Sequence, residues 1–211
     1  NENVVYFLGH TPGYGKETFN FRGDSEWNSF WKYTYVSGDG AGVNGTWEDR
    51  SPNLPLGPYA FDDFAAQGGY DLLVTVKPDD PNTVIIGGTN LYRSTDAFAT
   101  PNNTRHIGGY VEDTELPDFK TYPNQHPDQH VAFFSASNSN VMYSGNDGGL
   151  FRTDDIMADT VSWTSLNNGY ITTQFYTNAI DHETEGSNII IGGLQDNGTF
   201  HTSSADPMAD W

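Results

Sequence analysis

Val141-Met142-Tyr143-Ser144-Gly145-Asn146-Asp147-Gly148-Gly149-Leu150-Phe151-Arg152-Thr153-Asp154 reads as two short strands around a tight turn. Apolar and aromatic residues flank Asn-Asp-Gly-Gly, whose members tolerate the left-handed dihedrals such a turn needs. The pattern recurs at Val84-Ile85-Ile86-Gly87-Gly88-Thr89-Asn90-Leu91-Tyr92-Arg93-Ser94-Thr95-Asp96 and at Ile189-Ile190-Ile191-Gly192-Gly193-Leu194-Gln195-Asp196-Asn197-Gly198-Thr199-Phe200. A weaker copy begins Val4-Val5-Tyr6-Phe7-Leu8-Gly9 and resumes at Phe30-Trp31-Lys32-Tyr33-Thr34-Tyr35.

A further apolar strand precedes three of the copies, at residues 72–76, 131–134 and 177–180. These strands start about 45–60 residues apart, the period of a four-stranded blade. No apolar period of 3.6 residues competes with this reading. The expectation is an all-β chain, a β-propeller of about four incomplete blades that belongs to a larger propeller of roughly seven or more. The blades fall near residues 1–55, 70–110, 131–168 and 177–211 of a single partial domain spanning 1–211. Lettering strands A to D from the axis outward, the chain begins on strand B and ends near strand D, so it is expected to be part of a longer chain or to take its missing strands from elsewhere. Residues 9–30 and 97–125 break the rhythm and read as loop insertions.

Composition narrows the partners. With 9 Lys and Arg against 28 Asp and Glu, the formal charge is −19, which disfavours nucleic acid and anionic membranes. No apolar run approaches the roughly 18–20 residues of a membrane-spanning helix, so no membrane insertion is expected. The absence of cysteine excludes disulfides, thiolate nucleophiles and cysteine-rich zinc sites. So acidic a chain suits a secreted, extracellular or cell-surface setting.

Loops after the third strand of each repeat carry Ser/Thr and Asp, in three copies followed by Trp: Asp39 with Trp47, Asp96 alone, Asp154 with Trp163, and Asp206 with Trp211. These look like degenerate Asp-box motifs of sialidase-type propellers, in which the Asp closes a turn and the Trp packs between blades; their role there is structural. The runs Asn146-Asp147-Gly148-Gly149-Leu150-Phe151-Arg152, Thr173-Gln174-Phe175-Tyr176 and Leu194-Gln195-Asp196-Asn197-Gly198, with His126-Pro127-Asp128-Gln129-His130, resemble secreted bacterial sortilin-like and Asp-box propellers over residues 70–211. That group includes xyloglucan-degrading glycoside hydrolases.

In a propeller the loops entering strand A and those joining B to C share one face. The resulting set is Tyr70, Asp71, Asn146, Gln174, Phe175, Tyr176, Gln195 and Asn197 as ligand-binding residues. Aromatic rings stack on sugars, while amides and carboxylates bond hydroxyls, so the expected ligand is a carbohydrate. A cell-surface protein is a second candidate partner, and a structural role in a surface assembly a third possibility. Glycoside hydrolysis is the catalytic alternative. The resemblance makes Asp147 one acid of a catalytic pair, and Asp196 holds the matching position in the next repeat. Turn residues bonding their own backbone are the plainer account of both. No cofactor is required; His126, Asp128 and His130, at alternate positions, form a candidate divalent-metal set, and calcium is a further option.

Overall fold

The structure is a computed structural model describing residues 3–20, 22–40, 44–59, 61–170, 173–196, 198–206 and 208. The described residues form four antiparallel sheets and no α-helix. Among them no helix is long and apolar enough to cross a membrane. The chain divides into two compact units, Asn1–Asn168 and Gly169–Trp211, and each is described by itself.

The first unit holds three sheets. The first comprises β1 (Val4–His10), β2 (Lys16–Phe19), β3 (Ser25–Tyr35) and β4 (Gly45–Asp49). The long β3 pairs with β1 along one edge, while β2 and β4 share its other edge end to end. The second is a meander of β5 (Leu73–Lys77), β6 (Asp80–Gly87), β7 (Leu91–Ser94) and β8 (Thr104–Gly108). The third repeats that order with β9 (Gln129–Ser135), β10 (Asn138–Asn146), β11 (Gly149–Thr153) and β12 (Thr164–Ser165). The leading strands β1, β5 and β9 contact one another in series.

Two details differ from the sequence expectation. The strand β1 takes the leading place in its sheet, not the second. Residues 9–30 are not a loop insertion, because they contain β2 and half of β3. The signal was hidden because the buried positions there are polar. Thr18 Oγ1 donates to the Phe64 carbonyl at 2.8 Å, and Glu26 accepts from the Ala66 N–H at 2.8 Å. Likewise β8 lies within 97–125.

Two cores separate the three sheets. One gathers Tyr6, Phe30, Leu54, Phe64, Val84 and Ile86; the other gathers Leu73, Ile85, Ile107, Met142, Phe151 and Trp163. Consecutive residues Val84, Ile85 and Ile86 are all fully buried because alternate side chains enter opposite cores. A strand covered on both faces reads as a continuous apolar run rather than an alternation.

Guanidinium groups join the sheets at their outer ends. Arg50 donates to the carbonyls of Asp96 and Ala97, at 3.1 and 2.8 Å. Arg93 donates in the same way to the carbonyls of Ile156 and Ala158. The turn after β7 is closed by Asp96, whose carboxylate accepts from Thr100 N–H, Thr100 Oγ1 and Asn103 Nδ2. After β11 the corresponding bond is made by Asp155, to the Met157 N–H at 2.9 Å. Asp154 instead pairs with Arg152. Trp163 packs between the second and third sheets and donates from Nε1 to the Ile107 carbonyl at 2.7 Å. Trp47 lies on the outer face of the first sheet against Phe7, Trp31 and Tyr33. Asp39 occupies an exposed turn.

His106 sits between the rings of Tyr92 and Tyr122. Burial, opposed by a backbone hydrogen bond at Gly108, holds its pKa down at about 4. In the unfolded chain an imidazole takes its proton near pH 6.5. The depressed value therefore makes stability fall as pH drops from about 6.5 to about 4. Replacing His106 with Phe is expected to flatten thermal stability across that window; an unchanged slope would mean the imidazole is not its source.

The second unit is a three-stranded antiparallel sheet of β13 (Phe175–Ile180), β14 (Ile190–Leu194) and β15 (Thr199–Thr202). Its turn residue Asp206 accepts from the Met208 N–H at 2.9 Å.

Candidate functional site

Four chain segments are tied together at one end of the second and third sheets. Residues 64–71 lead into β5 through a 3-10 turn, Gln67–Gly69, in which Gln67, Gly68 and Gly69 all have positive φ. The β6–β7 turn bonds to this segment through Thr89 N–H and the Ala65 carbonyl, at 2.8 Å. Gly88 is required there, because a Cβ at that position would lie 2.1 Å from the Ala65 oxygen. The segment entering β9 continues the chain of contacts. Asp128 N–H donates to the Thr89 carbonyl at 3.0 Å, and Gln129 N–H to the Gly88 carbonyl at 2.9 Å. The Asp147 N–H in the β10–β11 turn then donates to the Asp128 carbonyl at 3.3 Å.

This backbone network converges Gln67, Tyr70, Asp71, Asp128, His130 and Asp147. Asp71 is fully buried at the base. Gln67 Nε2 donates to Asp71 Oδ2 at 2.7 Å and to Asp128 Oδ1 at 2.6 Å, so one amide bridges two carboxyls. His130 stands between the acids, with Nε2 2.5 Å from Asp147 Oδ1 and Nδ1 4.0 Å from Asp71 Oδ1. Tyr70 meets the His130 ring edge to face at 5.1 Å, and the tyrosine is 60% exposed at the lip. Asp128 adopts φ 64°, a left-handed conformation costly for a residue with a Cβ. Such strain gathers at functional positions.

Burial, then the charge of Asp128 and its hydrogen bond with Asp71, and then the charge of Asp147, raise the Asp71 pKa to about 8, against the opposing bond from Gln67. Asp71 therefore holds a proton at neutral pH. The site thus offers a neutral carboxyl below two partly exposed aspartates, an imidazole between the acids and an exposed phenol ring. Neither Asp71 nor Asp147 has a Lys or Arg partner among the described residues.

Other sequence candidates lie differently. The strand begins at Gln129, so residues 126–128 are not extended and the side-by-side alternation of His126, Asp128 and His130 does not form. His126 packs over Gly148, and its Nδ1 is 3.0 Å from the Pro127 carbonyl. Among the described residues no group of three His, Asp or Glu side chains is arranged to hold a metal ion. Asn146 is a turn residue, accepting from the Gly148 N–H at 3.1 Å and bonded to Gln125. Gln174, Phe175, Tyr176, Gln195 and Asp196 belong to the second unit. Within it Gln195 N–H donates to the Gln174 carbonyl at 3.1 Å, Phe175 and Tyr176 are exposed, and Asp196 has φ 53°. Asn197 and Trp211 lie outside the described residues. The sequence reading missed Gln67; its signal was a polar side chain before Gly68-Gly69, ahead of an acid entering a strand.

Comparison with protein-family models, with curated proteins and with solved structures finds no match for the chain.

Proposed function

We propose that the chain is part of an extracellular or cell-surface β-propeller that binds a carbohydrate at the mouth formed by the loops entering β5 and β9 and the β10–β11 turn. The serial contact of four-stranded antiparallel sheets through their leading strands supports the propeller reading. The observation that carries the ligand reading is the convergence of Tyr70, Asp128, His130 and Asp147 around buried Asp71. Carboxylates and imidazole accept or donate to hydroxyls, and the exposed Tyr70 ring offers a stacking face. No cofactor enters this reading. The ligand is a glycan, free or displayed on a cell-surface partner, and the rest of a longer chain completes the propeller.

A second reading, glycoside hydrolysis, draws on the unequal acids. One carboxyl protonated at neutral pH stands across His130 from Asp147, the residue that the resemblance marks as catalytic. Paired carboxyls, one of them holding a proton, are what acid–base cleavage of a glycosidic bond uses. Asp71 itself is buried, so Asp128, bonded to the same amide, is the carboxyl within reach of a substrate.

The test is incubation of the protein with plant, algal and host glycans, reading both binding and released sugar. Retention without cleavage is expected, weakened about tenfold by Tyr70→Ala, a loss of about 1.4 kcal/mol. Sugar release that disappears in Asp147→Asn would favour the hydrolase. Silence on both readouts would contradict both readings and leave a structural role in a surface assembly.

A further inference from the structure

We propose that Asn168-Gly169 is a site of spontaneous deamidation, and that its conversion loosens the turn carrying Asp147. The sequence holds three Asn-Gly pairs, at residues 44–45, 168–169 and 197–198. Glycine after asparagine favours cyclisation, because no Cβ crowds the backbone nitrogen that must reach the side-chain carbonyl. Asn197 lies outside the described residues, and the structure separates the other two pairs. Gly45 opens β4 and pairs with Tyr35 across the ladder. It lies so close under Tyr33 that a Cβ there would meet the ring at 2.3 Å. The Asn44 carbonyl accepts from the N–H groups of Val36 and Ser37, at 2.9 and 3.1 Å. Cyclisation at this pair first requires the strand end to open. Asn168 and Gly169 instead form an exposed turn beyond β12, with Gly169 at φ 71°. Neither the Asn168 side chain nor the Gly169 N–H has a hydrogen-bond partner among the described residues.

The chemistry needs only water. The Gly169 nitrogen gives up its proton and attacks Asn168 Cγ. An N–Cγ bond forms, the Cγ–Nδ2 bond breaks, and ammonia leaves with the proton. Water then opens the cyclic imide. Opening at Cγ leaves an aspartate; opening at the backbone carbonyl leaves an isoaspartate, whose main chain runs through an additional methylene. Either product adds a negative charge.

The effect reaches the site through the preceding residue. Asn167 Oδ1 accepts from the Leu150 N–H at 2.9 Å, and its Nδ2 donates to the Gly148 carbonyl at 3.0 Å. Gly149, at φ 114°, is packed beneath that amide, since a Cβ there would lie 2.3 Å from Asn167 Oδ1. The β10–β11 turn that presents Asp147 is therefore braced by the residue next to the lengthened main chain.

The test ages the whole protein in mildly alkaline buffer, folded and in urea. Chymotryptic peptides are mapped by mass, and isoaspartate is read by methyltransferase labelling. The rate in the folded protein, relative to that in urea, should be about tenfold or more higher for Asn168 than for Asn44, a barrier difference of about 1.4 kcal/mol. Asn168→Gln should abolish conversion at this position, and Gly169→Ala should slow it. The amide resonances of Gly148, Gly149 and Leu150 should shift as isoaspartate accumulates and stay in place in Asn168→Gln. Equal relative rates at the two pairs would overturn the assignment, as would an Asn168 that converts in urea but stays intact when folded. Conversion that leaves those three resonances unmoved would overturn the link to the Asp147 turn.

Discussion

Trp163→Ala is expected to destabilise the protein by about 3–5 kcal/mol, the range for removing a large aromatic side chain from a core. Trp163 is 4% exposed and belongs to the core between the second and third sheets. It touches both, because its Nε1 donates to the Ile107 carbonyl on β8 while the residue itself precedes β12. Truncation would leave a cavity where two sheets meet and strip the Ile107 carbonyl of its donor. Trp47→Ala is the natural comparison. Trp47 is 48% exposed on an outer sheet face, so its removal is expected to cost under about 1.5 kcal/mol. Denaturant unfolding of the two variants checks the difference; equal losses would mean that Trp163 does not join the sheets.

The second large effect is a pH-dependent one at Asp71. Its folded pKa of about 8 stands above the ordinary value of 3.8, chiefly through burial and then through Asp128 and Asp147. The folded state therefore holds this proton more tightly than the unfolded chain does. The associated stability is fully present below about pH 4 and is lost as pH rises through about 8. Asparagine keeps the shape and never ionises. Asp71→Asn should thus leave the melting temperature nearly unchanged at pH 4 and raise it relative to the native protein at pH 9. A rise on the order of 2–4 °C corresponds to about 1 kcal/mol in a chain of this length. A stability offset independent of pH would place the proton elsewhere.

These two residues show how far the sequence could be read. Trp47 and Trp163 follow the same kind of loop and were equivalent as letters. The structure separates them, because only Trp163 has a sheet on each side. The second and third sheets were legible because a strand buried on both faces needs an unbroken apolar run, as Val84-Ile85-Ile86 supplies. The first sheet was partly hidden, since Thr18 and Glu26 are buried through hydrogen bonds that no hydropathy pattern reveals. In the site, Tyr70, Asp71, Asp128, His130 and Asp147 could be named from their positions at strand entries and turns. Their division of labour could not. Gln67 joins two acids from a turn 61 residues before Asp128, and the left-handed backbone at Asp128 breaks the alternation that the sequence spacing suggests.

The outer face of the first sheet offers a competing place for a sugar, because Phe7, Trp31 and Trp47 form an aromatic cluster there. Backbone amide chemical shifts recorded while titrating a bound glycan separate the two locations directly. The account predicts that the shifts gather at residues 67–71, 88–90, 126–130 and 146–148 and that Tyr70→Ala weakens them. Shifts gathered instead at residues 5–9, 29–33 and 45–49 would contradict it.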